Sequence, residues 1–466
     1  MKTAPSLSAA FVSCLALQVT AGCAKVGAGD TSAARDSGRP GDANDSAPPP
    51  ADATGPAFDQ GGFAPDVPTT PCDTSISGTT FAPNGKLPLN KVTVFVPAGP
   101  LPPFRQGISC DRCGTIGNSL ALTNAVSDVK GHFKLNKVPP GKDIPLVVQV
   151  GKWRRKVTLP NVVACQDNPI TDPELTRLPR NRQEGDMPRI AVATGGCDRL
   201  GCLLPQVGVD PNELGIVGQD KAITYYRGLE AGLEYNFGPA NMTLASAMWP
   251  SEATMSQYDV LLLTCECGVY VQDKPAAAYD AMTSYLNKGG RIFGSHYSYA
   301  WTTRSSDPNM AGTMREVHKG DPPSIGRPSL LMDINTGFTK GKDLADWLQN
   351  LHPAAPYGKV TAVQVENNLE ILMPAPIELW ATSDSGAPPP APAKSPRILS
   401  INTPVGMPVE KQCGRATQLD VHVYDNPGLP MFPGACPSLK DSEEVLAFLF
   451  FDLFACLVDG QIPVVP

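Results

Sequence analysis

The stretch "GGRIFGSHYSYAW", Gly289 to Trp301, decides how the C-terminal half of this chain is read. Apolar Ile292 and Phe293 run into Gly294, and a serine, a histidine and a cluster of aromatics follow. A short apolar strand ending in such a turn is where α/β enzymes seat a nucleophile. Upstream, "YDVLLLTCECG" (258–268) is a strongly apolar strand, and "KPAAAYDAMTSYLNKGG" (274–290) is a helix stopped by a glycine pair. Strand, helix and strand at this spacing predict a parallel sheet with crossover helices, a doubly wound α/β domain.

The same alternation extends from 187 to 460. "MPRIAVATGG" opens it with a buried-type strand, "ITYYRGLEAGLEY" reads as helix and "MTLASAMW" as a strand. "ATQLDVHVYD" is a late strand. "SLKDSEEVLAFLFFDLFACL" is a closing helix, with Ser438 as N-cap and acidic residues in its first turn. "GAPPPAPAKSP" (386–396) is a proline-rich loop.

Residues 72–166 have a different texture, of short alternating strands broken by Gly, Pro and Asn, and predict a β-sandwich. Within it "LVVQVGKWRRKVTLP" is a hairpin turning near Gly151 and Lys152. Its "KWRRK" cluster is either a lipid- or polysaccharide-facing patch or a solvated basic turn with Trp153 packed across the hairpin. Residues 167–186, polar and marked by prolines, read as a linker.

The N-terminus predicts export. Lys2 precedes the uncharged run "APSLSAAFVSCLALQVTAG", too short and too rich in Ala and Ser to span a bilayer well. It ends in "TAGC", and Ala21 and Gly22 before Cys23 resemble a bacterial lipobox, with Thr20 in place of its usual leucine. That resemblance implies a signal peptide over 1–23 and lipid on Cys23. Residues 24–71 are almost all Ala, Gly, Asp, Ser and Pro, the composition of a disordered tether. The expected partner is therefore a membrane, outer membrane or cell surface. A net charge of −7 argues against nucleic acid.

Thirteen cysteines fit an oxidising compartment. Cys72 and Cys165 stand at the two ends of the sandwich and are expected to pair. Cys110 and Cys113 form a C-x-x-C that reads as a loop staple. Cys197 and Cys202, after the first α/β strand, are expected to bridge to Cys265 and Cys267. Cys436–Cys456 is a further candidate bridge, with Cys413 left over. With the N-terminal cysteines set aside the number is odd, so one thiol stays unpaired.

Two resemblances add to this reading. Ser77-Gly78, Gly85, Leu87-Pro88-Leu89, Val92-Thr93-Val94, Ser127-Asp128, Gly131-His132-Phe133 and "VPPGKDIPLVVQV" resemble the carboxypeptidase regulatory-like (transthyretin-like) domain. It carries no catalytic residues, and here an insertion lies between Pro97 and Asn124. Tyr258-Asp259, Gly289-Gly290, His296, Gly414-Arg415 and His422 resemble the class I glutamine amidotransferase-like fold, and within it the ThuA-like branch. The amidotransferases place a cysteine at the turn after Phe293. This chain has Gly294-Ser295-His296-Tyr297 there, which removes glutamine hydrolysis by that route.

Candidate catalytic residues are His296, His422 and Ser295, with His422 the base a serine nucleophile would need. His296, His422 and either His318 or Asp420 would suit a metal at the carboxyl ends of the strands. No H-x-x-x-H or H-x-H spacing supports one, so no metal or other cofactor is expected. His352 reads as a surface residue. The sequence favours a non-catalytic binding or structural protein of the cell envelope, with carbohydrate or another envelope component as ligand. The ThuA-like resemblance implies the alternative, a hydrolase acting on a sugar-like substrate through His296 and His422.

Overall fold

Apolar runs buried on both faces lie at the centre of the molecule, as inner strands of a parallel sheet do. The computed structural model describes residues 72–110, 113–114, 120–230, 237–317, 330–362, 365–372, 376–384, 394–422, 436, 439, 441–455, 457 and 462–463. The expected signal peptide with Cys23, the tether, His318, Ser438 and Cys456 lie outside these residues. No described helix is long and apolar enough to cross a membrane.

Seven strands of four residues or more build the described N-terminal part: β1 (Ser75–Thr79), β2 (Thr93–Pro97), β3 (Ala121–Val126), β4 (His132–Leu135), β5 (Gly141–Val150), β6 (Trp153–Val162) and β7 (Asp167–Ile170). They form one sheet of order β4-β1-β7 and another of order β3-β2-β5-β6. Ile76, Val94, Val96, Phe133, Leu135, Leu146 and Leu159 fill the space between them. Cys72 and Cys165 are joined by a disulfide.

The larger sheet has ten strands. They are β8 (Ile190–Ala193), β9 (Leu214–Ile216), β10 (Ile223–Tyr226), β11 (Val260–Leu263), β12 (Arg291–Ser295), β13 (Leu330–Ile334), β14 (Lys359–Ala362), β15 (Ile377–Asp384), β16 (Lys394–Thr403) and β17 (Gly414–Leu419). In the order β9-β10-β8-β11-β12-β17 neighbouring strands are parallel. The sheet then continues β17-β16-β15-β13-β14 with every pair antiparallel, so the expectation of a wholly parallel sheet is corrected.

Side chains alternate across this sheet as the strand period requires. Val192, Val260, Leu262 and Phe293 face one core, whereas Ala191, Ala193, Leu261, Leu263 and Ile292 face another. Helix α1 (Ala276–Asn287) covers the second face with Ala278, Met282, Tyr285 and Leu286. Helices α2 (Thr339–Leu351) and α3 (Asp441–Phe454) lie on the first. Apart from Asp452, which pairs with Lys340 and Arg415, α3 is apolar and buried all round from Val445 to Phe454, as a helix enclosed by other layers must be.

Two element assignments differ from the sequence reading. Ile223–Tyr226 is a buried strand between β8 and β9, because a run of β-branched and aromatic residues has no solvent face to support a helix. "MTLASAMW" is a single 3₁₀ turn, Ala245–Ala247, because Met242, Ala245, Met248 and Trp249 bury at helical spacing.

The hairpin turn between β5 and β6 is half-buried against the rest of the molecule, and of its basic cluster Lys156 alone is exposed. Trp153 packs against α3 rather than across its own hairpin, with ring centroids 6.1, 5.6 and 5.7 Å from Phe450, Phe451 and Phe454. Its indole N–H donates to the Pro179 carbonyl at 2.9 Å. Lys152 Nζ reaches Asp259 at 2.7 Å, and Arg154 pairs with Asp186 at 2.7 Å. Gly151 turns the chain at φ +53°, and a Cβ there would sit 3.0 Å from the Phe454 carbonyl oxygen. The region read as a linker is ordered too: it supplies β7 and the buried Arg177, whose guanidinium holds Glu184 at 2.6 and 2.7 Å.

The insertion is tied down as well. Cys110 bonds Cys413 rather than Cys113. The Ile108 N–H donates to the Ser256 carbonyl at 2.9 Å, so this loop lies along the α/β part and carries Cys110 to the start of β17. Cys436 bonds Cys202, not Cys456.

Trp153→Ala is expected to cost about 3–5 kcal/mol, read from the urea midpoint of the purified protein. The Arg177 hydrogen bonds hold Glu184 down at about 2, against burial, from an ordinary 4.5. Its contribution is therefore complete above about 4.5 and is lost as pH falls toward about 2. Partial exposure limits it to about 1–2 kcal/mol. Glu184→Gln should flatten that part of the stability–pH curve, and an unchanged acid limb would refute the assignment.

Candidate functional site

Register brings the candidate residues to one rim. Ala193, Leu263, Gly294 and Gln418 are mutual neighbours across β8, β11, β12 and β17. Continuing each strand a few residues past that row reaches Asp198, Cys265, His296, and Asp420 with His422. This is the carboxyl edge of the parallel strands, where ligands of open α/β sheets bind.

The strand-to-helix turn after β12 seats His296 rather than Ser295 at its tip. His296 has φ +40°, an uncommon conformation for a residue with a side chain. A Cβ on Gly294 would lie 2.2 Å from Ser298 Oγ, so the turn closes only with glycine there. Gln418 clamps it: its amide donates to the His296 carbonyl at 2.7 Å and accepts from Ser298 Oγ at 3.0 Å. Ser295 is fully buried, and its Oγ accepts the Cys265 N–H at 3.0 Å. It braces the neighbouring loop.

His296 and His422 meet, with Nδ1 of the first 2.8 Å from Nε2 of the second. Cys265 Sγ lies 3.5 Å from the same Nδ1. Of the four cysteines expected to bridge here, Cys197 and Cys267 do pair, whereas Cys202 bonds Cys436 and Cys265 is a buried free thiol. The odd cysteine count pointed to one unpaired thiol without locating it. On the far side of both rings stands Glu366, 4.0 Å from His296 Nε2 and 3.8 Å from His422 Nδ1. The Asn368 side-chain amide also hydrogen-bonds His296 Nε2.

Glu366 and Asn368 were not anticipated, because they lie in an irregular segment between β14 and Leu369–Ile371. That segment is pinned to the end of β17. The Glu366 N–H donates to the Asp420 carbonyl at 3.0 Å and the Asn368 N–H to the Asp420 carboxylate at 3.1 Å. Arg397 donates to the Glu366 carbonyl and stands 3.7 Å from Asp420. Asp420 is thereby a brace for this segment and not part of the Cys265–His296–His422 group. His352 bonds Glu444 on α3, away from the site.

Desolvation dominates the electrostatics. Burial lifts the Asp198 carboxyl to about 6 against hydrogen bonds from Ser295 and the Leu200 and Cys265 N–H groups. It lifts Asp420 to about 6 against His296 and Arg397. Burial, with His296 beside it, presses His422 down to about 3, so that ring is neutral near pH 7. Burial also pushes the Cys265 thiol up, against the pull of His296. The group therefore offers a neutral imidazole acceptor, a second imidazole and a protonated thiol within reach of one another. Tyr297 covers His296 with ring centroids 3.8 Å apart.

No family model matches the chain, and no curated protein matches it. Among solved structures it is similar to a ThuA-like protein from Bacteroides uniformis, at 10% identity and a TM-score of 0.33, over 59% of this chain and 93% of that one. A cytoplasmic protein from Salmonella typhimurium matches at 10% identity and a TM-score of 0.29, over 57% of this chain and 98% of that one. A cohesin–X-dockerin complex from Acetivibrio cellulolyticus matches at 17% identity and a TM-score of 0.16, over 30% of this chain and 84% of that chain.

Proposed function

We propose that the protein is an exported lipoprotein, anchored through Cys23, whose α/β part is a hydrolase acting on a sugar-like, hydroxyl-rich substrate through His296 and His422. One observation carries the catalytic part. Four separate strands deliver two imidazoles, a thiol and two carboxyls to a single buried rim of the sheet. Burying such groups costs several kcal/mol unless they are paired, and a purely structural core would fill the space with apolar side chains. Buried groups with displaced pKa values, together with a strained turn residue, are the usual marks of a working site.

Near pH 7 His422 is neutral and meets His296 through its Nε2, holding that ring in place for acid–base work, while Glu366 faces the opposite nitrogens of both rings. Substrate class and export rest on the sequence: the ThuA-like pattern of Tyr258-Asp259, Gly289-Gly290, His296 and His422, and the lipobox-like "TAGC".

A second reading is favoured by the closure of the site. His296 is 1% exposed, Cys265 and Ser295 are 0% exposed, and Tyr297 lies over the histidine. On that reading the protein binds an envelope component without catalysis.

Purified full-length protein, presented with a panel of glycosides and acylated sugars, should turn over at least one of them. His422→Ala should lose about 100-fold or more, the usual worth of a positioned acid or base. Absence of turnover across the panel, or equal rates in the variant, leaves the binding reading. For the anchor, labelled fatty acid should be incorporated by the wild type and not by Cys23→Ala.

A further inference from the structure

We infer that Cys265, His296 and His422 form a site for one divalent transition-metal ion of the zinc class, with a fourth position left to water or substrate. The donors are one sulfur and two imidazole nitrogens, the set that selects zinc and its neighbours over magnesium or calcium. Three protein ligands with an open position is the pattern of catalytic rather than structural zinc.

Distances decide in favour of a site over a chance cluster. Tetrahedral bonds of about 2.3 Å to sulfur and about 2.0–2.1 Å to nitrogen place sulfur and nitrogen about 3.5 Å apart and two nitrogens about 3.3 Å apart. Cys265 Sγ and His296 Nδ1 are 3.5 Å apart. The two histidine nitrogens are 2.8 Å apart, so that pair must open by about 0.5 Å. All three donor atoms lie within 4.8 Å of one another.

Ring orientation is an independent observation. Each histidine turns one nitrogen toward the thiol group and the other away from it. The outward nitrogens meet Glu366, at 3.8 Å from His422 and 4.0 Å from His296, and the Asn368 amide on His296. Metal-bound histidines show this arrangement, with a carboxylate or amide oxygen fixing the tautomer from behind. Rotating the Asn368 amide by half a turn presents its oxygen to His296 Nε2–H, the tautomer that metal at Nδ1 requires. Glu366 is 2% exposed, and its Oε1 has no hydrogen-bond partner among the described residues, so a buried carboxylate faces the group.

A nucleophilic thiol fits less well. Cys265 is 0% exposed, whereas reactive cysteines sit in partly exposed surroundings.

The test is metal binding by the full-length protein, independent of turnover. Protein stripped with chelator and reloaded should hold close to one zinc per chain after dialysis. Cobalt loading should give a thiolate-to-cobalt charge-transfer band that Cys265→Ser removes. Glu366→Gln should weaken affinity about 10–100-fold while retaining the band. Wild type retaining no zinc after dialysis, or a cobalt spectrum lacking the thiolate band, overturns the proposal. Both readouts come from wild type alone, so a variant that fails to fold leaves them intact. Bound zinc without turnover sinks only the hydrolytic reading, and turnover without metal sinks only this one.

Discussion

Phe450 touches both halves of the molecule at once. Its ring lies 6.1 Å from Trp153 on the sandwich hairpin and 6.4 Å from Phe293 on the strand that leads to His296. Helix α3, apolar on nearly every side, needs two partners to cover it. The sheet covers one side. The sandwich, through Trp153, Val148, Val150, Leu87 and Leu89, contributes to the same hydrophobic core. Around that core the polar contacts are directional: the Trp347 indole donates to the Pro88 carbonyl at 2.8 Å, and Lys91 pairs with Asp343 at 3.1 Å. A module that could have swung on a tether is instead a buttress.

The rim of the sheet obeys a different constraint. Its groups are polar and out of solvent, so each must be held by something other than water. Three kinds of restraint do this. A disulfide, Cys197–Cys267, joins the loops that follow β8 and β11. Side-chain amides and hydroxyls of Gln418, Ser295 and Ser298 fix the backbone around His296. Backbone N–H groups of the 366–368 segment lean on Asp420. Rigid strands carry the polar groups and a second layer locks them, which is how a site holds sub-ångström geometry.

Much of this was legible in the chain and some was not, for identifiable reasons. Unbroken apolar runs such as Val260–Leu263, the glycine-stopped helix α1 and the hairpin at Gly151 are local signals, and all are present. His296 and His422 were singled out because the family resemblance includes both and the strand pattern puts them at strand ends, and 126 residues of separation did not hide it. Cys265 was assigned to a bridge because Cys197 and Cys202 follow the strand neighbouring its own, and only three-dimensional placement tells a bridging sulfur from a free one. Glu366 and Asn368 carry no period at all. Trp153 was read against its own hairpin since nothing in the local pattern reveals a helix three hundred residues later.

The free thiol stands two residues from Cys267, itself already bridged. An exposed thiolate so placed would be able to attack the neighbouring bridge and exchange partners with Cys197. Cys265 is 0% exposed, so its burial at the strand ends keeps the sulfur away from that exchange.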